Sequence, residues 1–413
     1  MSVRSTSCSV FDAGLPTLDY ALTATPAEVW SDLHTAQQQA PVAIGPAGPE
    51  VLSYEMARLV LRDTRFAPPP GINLSMVGIS SGPLFDKVMA SLLCLHGAEH
   101  QRLRKLVSRA FTPRATARLH DTIGVVVNEL IDGVLDAGRC DVVADIARPY
   151  PVPIICALLG APREDWRLFS DWTHEVFQAF SFSTDILDNE HTIMAAWTAL
   201  DDYIDDMVAR RRHTLTDDLL SDLIRAEDDG DRLSTSELQM LASSLLMAGT
   251  DTTRHQLAAS VQALCDRPEQ WAMLRDHPDL AMRAVEETMR HSPAVCGTPR
   301  VAIEDAEIDG FIFPAGTFMF VNTFAANRDP AVYSDAEQLD LRREGAPAIL
   351  TFGGGAHYCL GANLARLELA EALQIIARRL PQPRRVAEAP WDPMLGMTGP
   401  TRLDLEFGCS DRA

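Results

Sequence analysis

A long apolar segment in the second half of the chain constrains the fold most. Residues 233–266 read LSTSELQMLASSLLMAGTDTTRHQLAASVQALCD. Ser234 and Glu237 have the spacing of a capping box, which predicts the start of a helix, and Pro268 follows the end of the pattern. At about 1.5 Å per residue, roughly thirty residues would form a helix about 45 Å long. Because its middle is apolar almost all round, this helix is expected to cross the core of the protein.

The centre of this predicted helix carries polar groups in the sequence AGTDTT, residues 248–253. A buried carboxyl group such as that of Asp251 is costly unless it is paired or used in function. A threonine such as Thr252 can instead donate to the carbonyl group four residues earlier and bend the helix. The pattern therefore leaves two interpretations open, a structural bend or an acid–alcohol pair with a chemical role.

The rest of the chain predicts a mainly α protein with a minor β portion. Helical periodicity dominates residues 99–290, and strand-like sequence occurs mainly at residues 300–325. Residues 65–98 are rich in Gly and Pro, which indicates a long functional loop. Because no repeat and no linker is evident, we expect a single domain over residues 1–413, in which residues 1–30 form a loosely ordered arm.

The composition excludes several classes of protein. Lys plus Arg is 36 and Asp plus Glu is 57, and the net charge of −21 argues against nucleic acid or an anionic membrane surface as the main partner. No run of eighteen apolar residues occurs, so no integral membrane anchor is expected, and the N-terminal region lacks the apolar stretch of a secretion signal. The eight cysteines lie far apart without a CxxC pair, which is typical of reduced thiols in a cytoplasmic protein.

The sequence FGGGAHYCLGANLAR, residues 352–366, places a lone cysteine at the start of a helical pattern. A helix N-terminus stabilises a thiolate, and the glycines before Cys359 let the backbone approach a flat ligand closely. Hydrogen bonds to a ligating sulfur tune a bound metal. A buried structural cysteine is the alternative interpretation. A zinc site is not expected, because no second Cys/His pair lies nearby at ligand spacing.

This loop resembles the haem-binding loop of the cytochrome P-450 family, whose pattern is Phe-Gly-x-Gly-x-(His/Arg)-x-Cys-x-Gly, and it meets every fixed position. The resemblance implies the cytochrome P-450 fold, with the long central helix over haem b (heme b, iron protoporphyrin IX). It implies that Cys359 is the metal ligand, as the axial thiolate of the haem iron, and that His357 reaches a haem propionate. By the same pattern, Phe352, Gly353 and Gly361 belong to the cofactor-binding loop.

The segment AGTDTT resembles the oxygen-activation helix of the same family. The resemblance implies that Ala248 and Gly249 leave room over the haem, and that Asp251 and Thr252 are the catalytic pair that relays protons. Both members of the pair are present.

Further matches follow in the family's order from about residue 96 to 366. His100 and Arg104, at positions i and i+4, resemble a pair that binds haem propionates, although the usual Asp-Pro-Pro-Glu-His opening is replaced here by HGAEH. Arg300 lies where the family has a further propionate contact.

Glu287 and Arg290 match the family's Glu-x-x-Arg motif, and they share one helical face. Arg343 would be the third member of that buried ion network. The resemblance implies a structural role in which this network supports the haem loop.

The implied function is a haem-thiolate monooxygenase that inserts one oxygen atom from O2 into a C–H bond, a hydroxylation. No flavin or nicotinamide fingerprint is present, so electrons are expected from another protein, usually in this family a ferredoxin with its NAD(P)H-dependent reductase. A group of basic residues would suit an acidic ferredoxin, although a merely solvated helix face is the alternative. Its members are Arg102, Lys105, Arg109, Arg114 and Arg118.

The substrate is expected to be a lipophilic small molecule. By analogy with the family, residues 65–98 and Ser292–Thr298 line the pocket, and they are mostly apolar. A terpenoid, a steroid, a fatty acyl chain or a polyketide would fit, and the residues do not choose among them.

Two other functional classes have a foothold in the sequence. A non-catalytic haem protein, such as a gas sensor, would explain Cys359 but not the acid–alcohol pair. Gly78, Ser80 and Gly82 match the Gly-x-Ser-x-Gly elbow of serine hydrolases, which requires a strand before it and a helix after it. The surroundings here are a Gly/Pro loop followed by long helices, which argues against that reading.

Overall fold

The structure is a computed structural model that describes residues 7–20, 24–180, 186–228 and 233–408. Helices account for 56% and strands for 10%, which confirms the prediction of a mainly α fold with a minor β portion. Seven of the eight cysteines lie in the described ranges, where they are free thiols, and Cys409 lies outside them.

Most helices of the described residues bury an apolar stripe and expose a polar face, whereas α7 and α15 are buried almost all round. They are α1 (Pro26–Gln37), α2 (Tyr54–Val60), α3 (Pro83–Ala90), α4 (Gly97–Val107), α5 (Pro113–Thr116), α6 (His120–Leu135), α7 (Pro151–Leu159), α8 (Trp166–Phe177), α9 (Ile186–His213), α10 (Leu219–Asp228), α11 (Thr235–Ala248), α12 (Asp251–Cys265), α13 (Pro268–Asp276), α14 (Ala281–His291), α15 (Thr323–Ala326) and α16 (Ala362–Arg379).

The strands are short, and those of the described residues leave residues 142–297 without a strand. They are β1 (Cys8–Ser9), β2 (Val42–Gly45), β3 (Gly48–Val51), β4 (Phe66–Ala67), β5 (Arg139–Asp141), β6 (Thr298–Ala302), β7 (Ala306–Ile308), β8 (Phe311–Phe313), β9 (Phe318–Val321), β10 (Arg384–Arg385) and β11 (Asp404–Glu406).

Three sheets connect regions that are far apart in sequence. The largest has the strand order β2-β3-β9-β6-β4, in which β3 pairs in parallel with β9 and the other pairs are antiparallel. The smaller sheets have the orders β1-β8-β7 and β10-β11-β5. The strands predicted at residues 300–325 are therefore confirmed as β6 to β9.

The predicted long helix begins as expected but consists of two segments, α11 and α12. Ser234 caps α11 by accepting from the backbone of Glu237, whose carboxylate accepts in return from the Ser234 backbone. The prediction of one unbroken helix was wrong at Gly249 and Thr250, which separate the two segments.

Threonine hydroxyl groups explain this break. The Thr250 hydroxyl donates to the carbonyl oxygen of Met247 at 2.9 Å, and the Thr252 hydroxyl donates to that of Ala248 at 3.1 Å. Side-chain donors of this kind compete with backbone amides for carbonyl oxygens and bend a helix. The bend therefore lies directly beside the acid and alcohol side chains.

One large apolar core holds the helices around this bent pair. Helix α16, which follows the cysteine loop, packs against α6, α12, α13 and α14. Residues from α11, α12 and α16 belong to the same cluster of buried side chains. The cysteine loop and the bend are thus fixed relative to each other by one packed interior.

The segment Val142–Leu159 is long and apolar enough to cross a membrane, but 72% of it is buried inside the fold. It contains a π-helical turn at Val142–Ala147 and then α7. Burial of this kind is what a helix in the core of a globular protein shows.

Described parts of the N-terminal region contact the body of the protein. Cys8 lies opposite Phe311 in the parallel pair β1–β8, and the amide of Leu18 donates to the carbonyl oxygen of Ile44 at 2.9 Å. The division into a single domain with a loosely ordered arm stays a prediction.

Candidate active site

The cysteine loop is a tight turn that only glycine can form at two positions. Gly353 and Gly355 have φ angles of 71° and 61°, in the left-handed region. A Cβ atom on Gly355 would lie 2.6 Å from the carbonyl oxygen of Leu61. The turn closes when the amide of Cys359 donates to the carbonyl oxygen of Phe352 at 2.8 Å. The thiol is thereby held just before α16.

The Cys359 side chain is exposed, although protein surrounds it at longer range. Burial raises the pKa of its thiol, while the backbone N–H of Gly361 and the nearby Arg104 and Arg366 guanidinium groups lower it. A metal ion would add the cationic charge that deprotonates a thiol fully. The loop therefore presents a sulfur ligand whose negative charge is supported by an amide and two cations.

Four nitrogen-bearing side chains from three elements gather beside this loop. The rings of His100 and His357 stack with centroids 4.1 Å apart. The Arg104 guanidinium donates to the carbonyl oxygen of Tyr358. Burial and, after it, the neighbouring His100, Arg300 and Arg104 together lower the pKa of His357 to about 3. The arrangement is a concentration of positive charge and hydrogen-bond donors.

No carboxylate partner accompanies these groups among the described residues. His100 is 1% exposed and its Nδ1 atom has no hydrogen-bond partner. Arg300 is 5% exposed and donates only to the Thr298 hydroxyl and the Pro299 carbonyl oxygen. Buried cations need an anion to be stable. The two propionate groups of a haem supply that anion, so the residues fit the cofactor that the sequence resemblance implies.

The acid and the alcohol lie on α12, at its first turn. Asp251 is 2% exposed, and its Oδ1 atom lies 2.8 Å from Nε of Arg254 in an ion pair. Burial raises the pKa of this carboxyl group, and the Arg254 charge lowers it. The other oxygen, Oδ2, is buried and accepts no hydrogen bond from the part of the chain that the structure describes. The Thr252 hydroxyl binds the Ala248 carbonyl oxygen, as the structural interpretation of the threonine expected, and this leaves its oxygen able to accept a proton.

Small residues bring α7 close to the bend. A Cβ atom on Gly249 would lie 3.0 Å from Cδ1 of Ile155. Ala248 supplies the carbonyl oxygen that the Thr252 hydroxyl binds. A side chain at 249 would therefore press against Ile155, whereas the Ala248 side chain is exposed, and the room that both residues leave over the haem stays a prediction.

The sequence analysis did not predict two basic side chains that lie near Asp251. Arg254 stands three residues after Asp251, so helical spacing could have revealed it. His174 on α8 contacts Arg254, with 3.2 Å between its Nδ1 atom and Nη2 of the arginine. No local signal marks His174, because the contact depends on how α8 packs.

The Glu-x-x-Arg prediction is confirmed as a buried ion network. Arg290 and Glu287 side chains are 1% and 5% exposed, and Nη2 of Arg290 lies 2.8 Å from Oε1 of Glu287. Arg343 joins them, with Nε 3.1 Å from Oε2. The network ties α14 to the loop that precedes the cysteine turn.

The predicted basic group lies on and after α4 and is exposed. Arg102 pairs with Glu237 and Arg118 with Asp217. The described residues form no ion pair with the remaining members, which are Lys105, Arg109 and Arg114.

The serine-hydrolase reading finds no support in the structure. A 3-10 turn at Leu74–Val77 precedes Gly78, whereas the elbow requires a strand there.

Comparison with known proteins extends these observations. A family model described as Cytochrome P450 matches residues 86–381. The luteothin monooxygenase of Streptomyces thioluteus is 37% identical over 403 residues, which are 96% of this chain and 97% of that protein. The nocardicin C N-oxygenase of Nocardia uniformis subsp. tsuyamanensis is 40% identical over 366 residues, 86% of this chain and 89% of its own.

A solved structure gives the same result for the fold. The crystal structure of CalO2 is 30% identical in sequence and superimposes with a TM-score of 0.87, over 94% of this chain and 98% of that one. The similarity therefore runs through nearly the whole chain, the cysteine loop and the bent helix included.

Proposed function

Because the chain belongs to the bacterial cytochrome P450 family, and is therefore an oxidoreductase with a haem b cofactor, we propose that it hydroxylates a C–H bond of a lipophilic small molecule with O2. Haem with a cysteine ligand supplies the oxygen-activating chemistry when it is bound. The gathering of His100, Arg104, Arg300 and His357 around an exposed Cys359 thiol carries the proposal, because it fits an iron ligand flanked by two anions.

Several residues of the loop would have a part in holding the cofactor. Cys359 would bind the iron, and the amide of Gly361 would hold negative charge on the sulfur. Gly353 allows the turn, and the Phe352 ring lies under the Arg366 guanidinium at 4.3 Å. The loop residues alone would thus hold the Cys359 sulfur in position.

Asp251 and Thr252 would deliver protons from α12, on the side of the site opposite the cysteine loop. Oδ2 of Asp251 is the free oxygen, so it can take a proton from water and pass it on. The Thr252 hydroxyl can accept at Oγ1 and donate its own proton towards the reacting centre. After each reaction cycle, Asp251 and Thr252 would have the same protonation states as before it.

An apolar cluster over α11 supports a lipophilic substrate. Leu74 and Ile79 from the loop and Phe180 after α8 are buried together with Met247 of α11. Val77 packs against them, whereas Met76 is 47% exposed. Such a wall gains free energy by binding apolar surface. A terpenoid, a steroid, a fatty acyl chain or a polyketide would each fit against such a wall.

A ferredoxin with its NAD(P)H-dependent reductase would supply the electrons. Lys105, Arg109 and Arg114 form an exposed positive surface on a strongly acidic protein, which suits an acidic partner. A cytoplasmic location, with free thiols, belongs to the same proposal.

Two spectral measurements test the proposal. The carbon monoxide complex of the reduced protein should show the red-shifted band of thiolate-ligated haem, and Cys359→His should abolish it while haem is retained. A screen of lipophilic compounds should then find ligands that perturb the haem spectrum. A globin-like band in the wild-type protein would refute the thiolate assignment.

A further inference from the structure

The Asp251 carboxyl group is held by one oxygen only. Nε of Arg254, one helical turn further along α12, contacts Oδ1 at 2.8 Å, and Oδ2 has no hydrogen-bond partner within the described ranges. The Arg254 side chain is itself 15% exposed, so this pair is not a solvated feature of a helix surface. A buried pair of this kind is costly to form, and its geometry is correspondingly well defined.

A second helix fixes the arginine. His174 on α8 lies with Nδ1 3.2 Å from Nη2 of Arg254. A guanidinium group only donates hydrogen bonds, so Nδ1 must be the acceptor and the ring must be neutral with its proton on Nε2. Burial and the Arg254 charge both lower the pKa of His174, which is consistent with a neutral ring.

The charged groups facing His174 come from three elements. Arg254 and Asp251 face it from α12, Arg148 from the segment before α7, and Glu175 is its neighbour on α8. Arg148 also pairs with the exposed Asp171, at 3.6 Å. The half-exposed His174 imidazole therefore lies between the exposed Arg148–Asp171 pair and the buried Arg254–Asp251 pair.

A different contact on the same helix provides a contrast. His255 contacts the backbone carbonyl oxygen of Asp251 with Nδ1 at 2.7 Å and the Asp392 carboxylate with Nε2 at 3.2 Å. It does not touch the Asp251 carboxyl group. The charges of this second pair still reach the site, because that of His255 lowers the pKa of Asp251 and that of Asp392 raises the pKa of Arg254.

We propose that Arg254 and His174 are positioning residues for proton delivery. Arg254 holds Oδ1 so that Oδ2 alone exchanges protons with water and Thr252, and His174 fixes the guanidinium that does so. The proposal rests on the proposed function, in which Asp251 is the proton donor. A proton arrives at Oδ2 from water, leaves from the same oxygen, and the carboxylate returns to its contact with Arg254.

The test compares Arg254→Gln, Arg254→Lys, His174→Phe and His174→Gln with Arg225→Gln as the matched control, because Arg225 pairs with Asp222 at the same i, i+3 spacing on the exposed face of α10. Each variant is studied as haem-loaded protein whose carbon monoxide spectrum matches the wild type. The first readout is the infrared C=O band of protonated Asp251 as a function of pH, identified by its loss in Asp251→Asn. The second is the pH profile of product formed per reductant consumed, with a compound from the spectral screen.

Arg254→Gln should move both profiles to higher pH, because the cation that favours the carboxylate is gone. Product yield at neutral pH should fall about tenfold, less than the roughly 100- to 10,000-fold expected for loss of the acid itself. His174→Phe should shift the profiles in the same direction by less. Arg254→Lys and His174→Gln, which keep the charge and the acceptor, should lie closer to the wild type, and Arg225→Gln should match it.

An unchanged carboxyl band in Arg254→Gln would overturn the proposal. If that variant does not fold, His174→Phe decides alone, and an unshifted band there would be equally decisive. If Asp251→Asn keeps full product yield while Arg254→Gln still shifts the band, the positioning of the carboxyl group stands and the proton relay of the proposed function fails. The two ideas are thereby tested separately.

Discussion

At the scale of single residues, Asp251 and Thr252 are expected to fail in different ways. Asp251→Asn removes the proton supply, so turnover should slow by roughly 100- to 10,000-fold. Thr252→Ala removes the hydroxyl that orders the last transfer, so reductant should still be consumed while electrons are lost to peroxide. The measurement is product and peroxide formed per reductant consumed.

Thr252→Ser is the matched control, because it keeps the hydroxyl and loses only a methyl group. It should remain coupled. Wild-type coupling in Thr252→Ala would mean that the hydroxyl serves only its observed bond to the Ala248 carbonyl oxygen.

Glu368 gives a prediction about pH. It is 2% exposed on α16, its Oε2 atom has no partner, and burial raises the pKa of its carboxyl group well above the usual value. Since the folded-state pKa is the higher one, the folded protein retains a proton that the unfolded chain releases. The stability linked to Glu368 is therefore fully present below the unfolded pKa and is lost as pH rises through the folded pKa.

Glu368→Gln should remove this pH dependence. Thermal unfolding at pH 5 and pH 8 should show a smaller loss of Tm at the higher pH in the variant than in the wild type. An equal loss in both proteins would show that another group causes it.

Residues within one helix were predictable, and residues that meet across helices were not. His100 and Arg104 share a face of α4 because i and i+4 positions do so in any helix. The contact of His174 with Arg254 follows from the packing of α8 against α12, which no spacing in the sequence encodes. The roles of these side chains in catalysis and cofactor binding stay predictions.

At the scale of elements, the ion network that links α14 to the loop before the cysteine turn should stabilise the folded protein. Glu287→Ala leaves Arg290 and Arg343 buried without their carboxylate, at a cost of about 3–5 kcal/mol. Little haem-loaded protein should be obtained. Chemical unfolding and the haem-to-protein ratio measure both effects.

Glu344→Ala is the control. Glu344 pairs with Arg283 of α14 at 3.0 Å, and it is exposed. Exposed pairs contribute about 0.2–1 kcal/mol, so this variant should resemble the wild type. A well-expressed, haem-replete Glu287→Ala protein would contradict the structural role.

The break between α11 and α12 shows where sequence reasoning about elements stops. The capping box and the apolar run predicted the start and the burial of the helix correctly. The sequence predicted the bend at residues 249–250 only as one of two interpretations of the threonines. A hydroxyl group can bind either the backbone or solvent, and the surrounding packing determines which of these it binds.

At the scale of the whole molecule, charge distribution should govern electron delivery. Reversing Lys105, Arg109 and Arg114 to Glu should slow reduction by a ferredoxin about tenfold or more at low ionic strength, and weaken its salt dependence. Stopped-flow reduction at several salt concentrations measures this.

Arg210→Glu on α9 is the control, because it changes the net charge at an exposed site outside the basic group. The carbon monoxide spectrum should be unchanged in all variants. Equal slowing by Arg210→Glu would mean that overall charge, and no particular surface, controls the encounter.

The pairing of β3 with β9, and of β1 with β8, has a consequence for biosynthesis. The first strands leave the ribosome while most of the chain between them and their partners is still to be translated. Until β8 and β9 emerge, β1 and one edge of the β2–β3 hairpin lack their partners, and such edges invite aggregation. The cysteine loop is made later still. A nascent chain therefore needs protection through most of its synthesis, and the supply of haem can affect its yield only near the end.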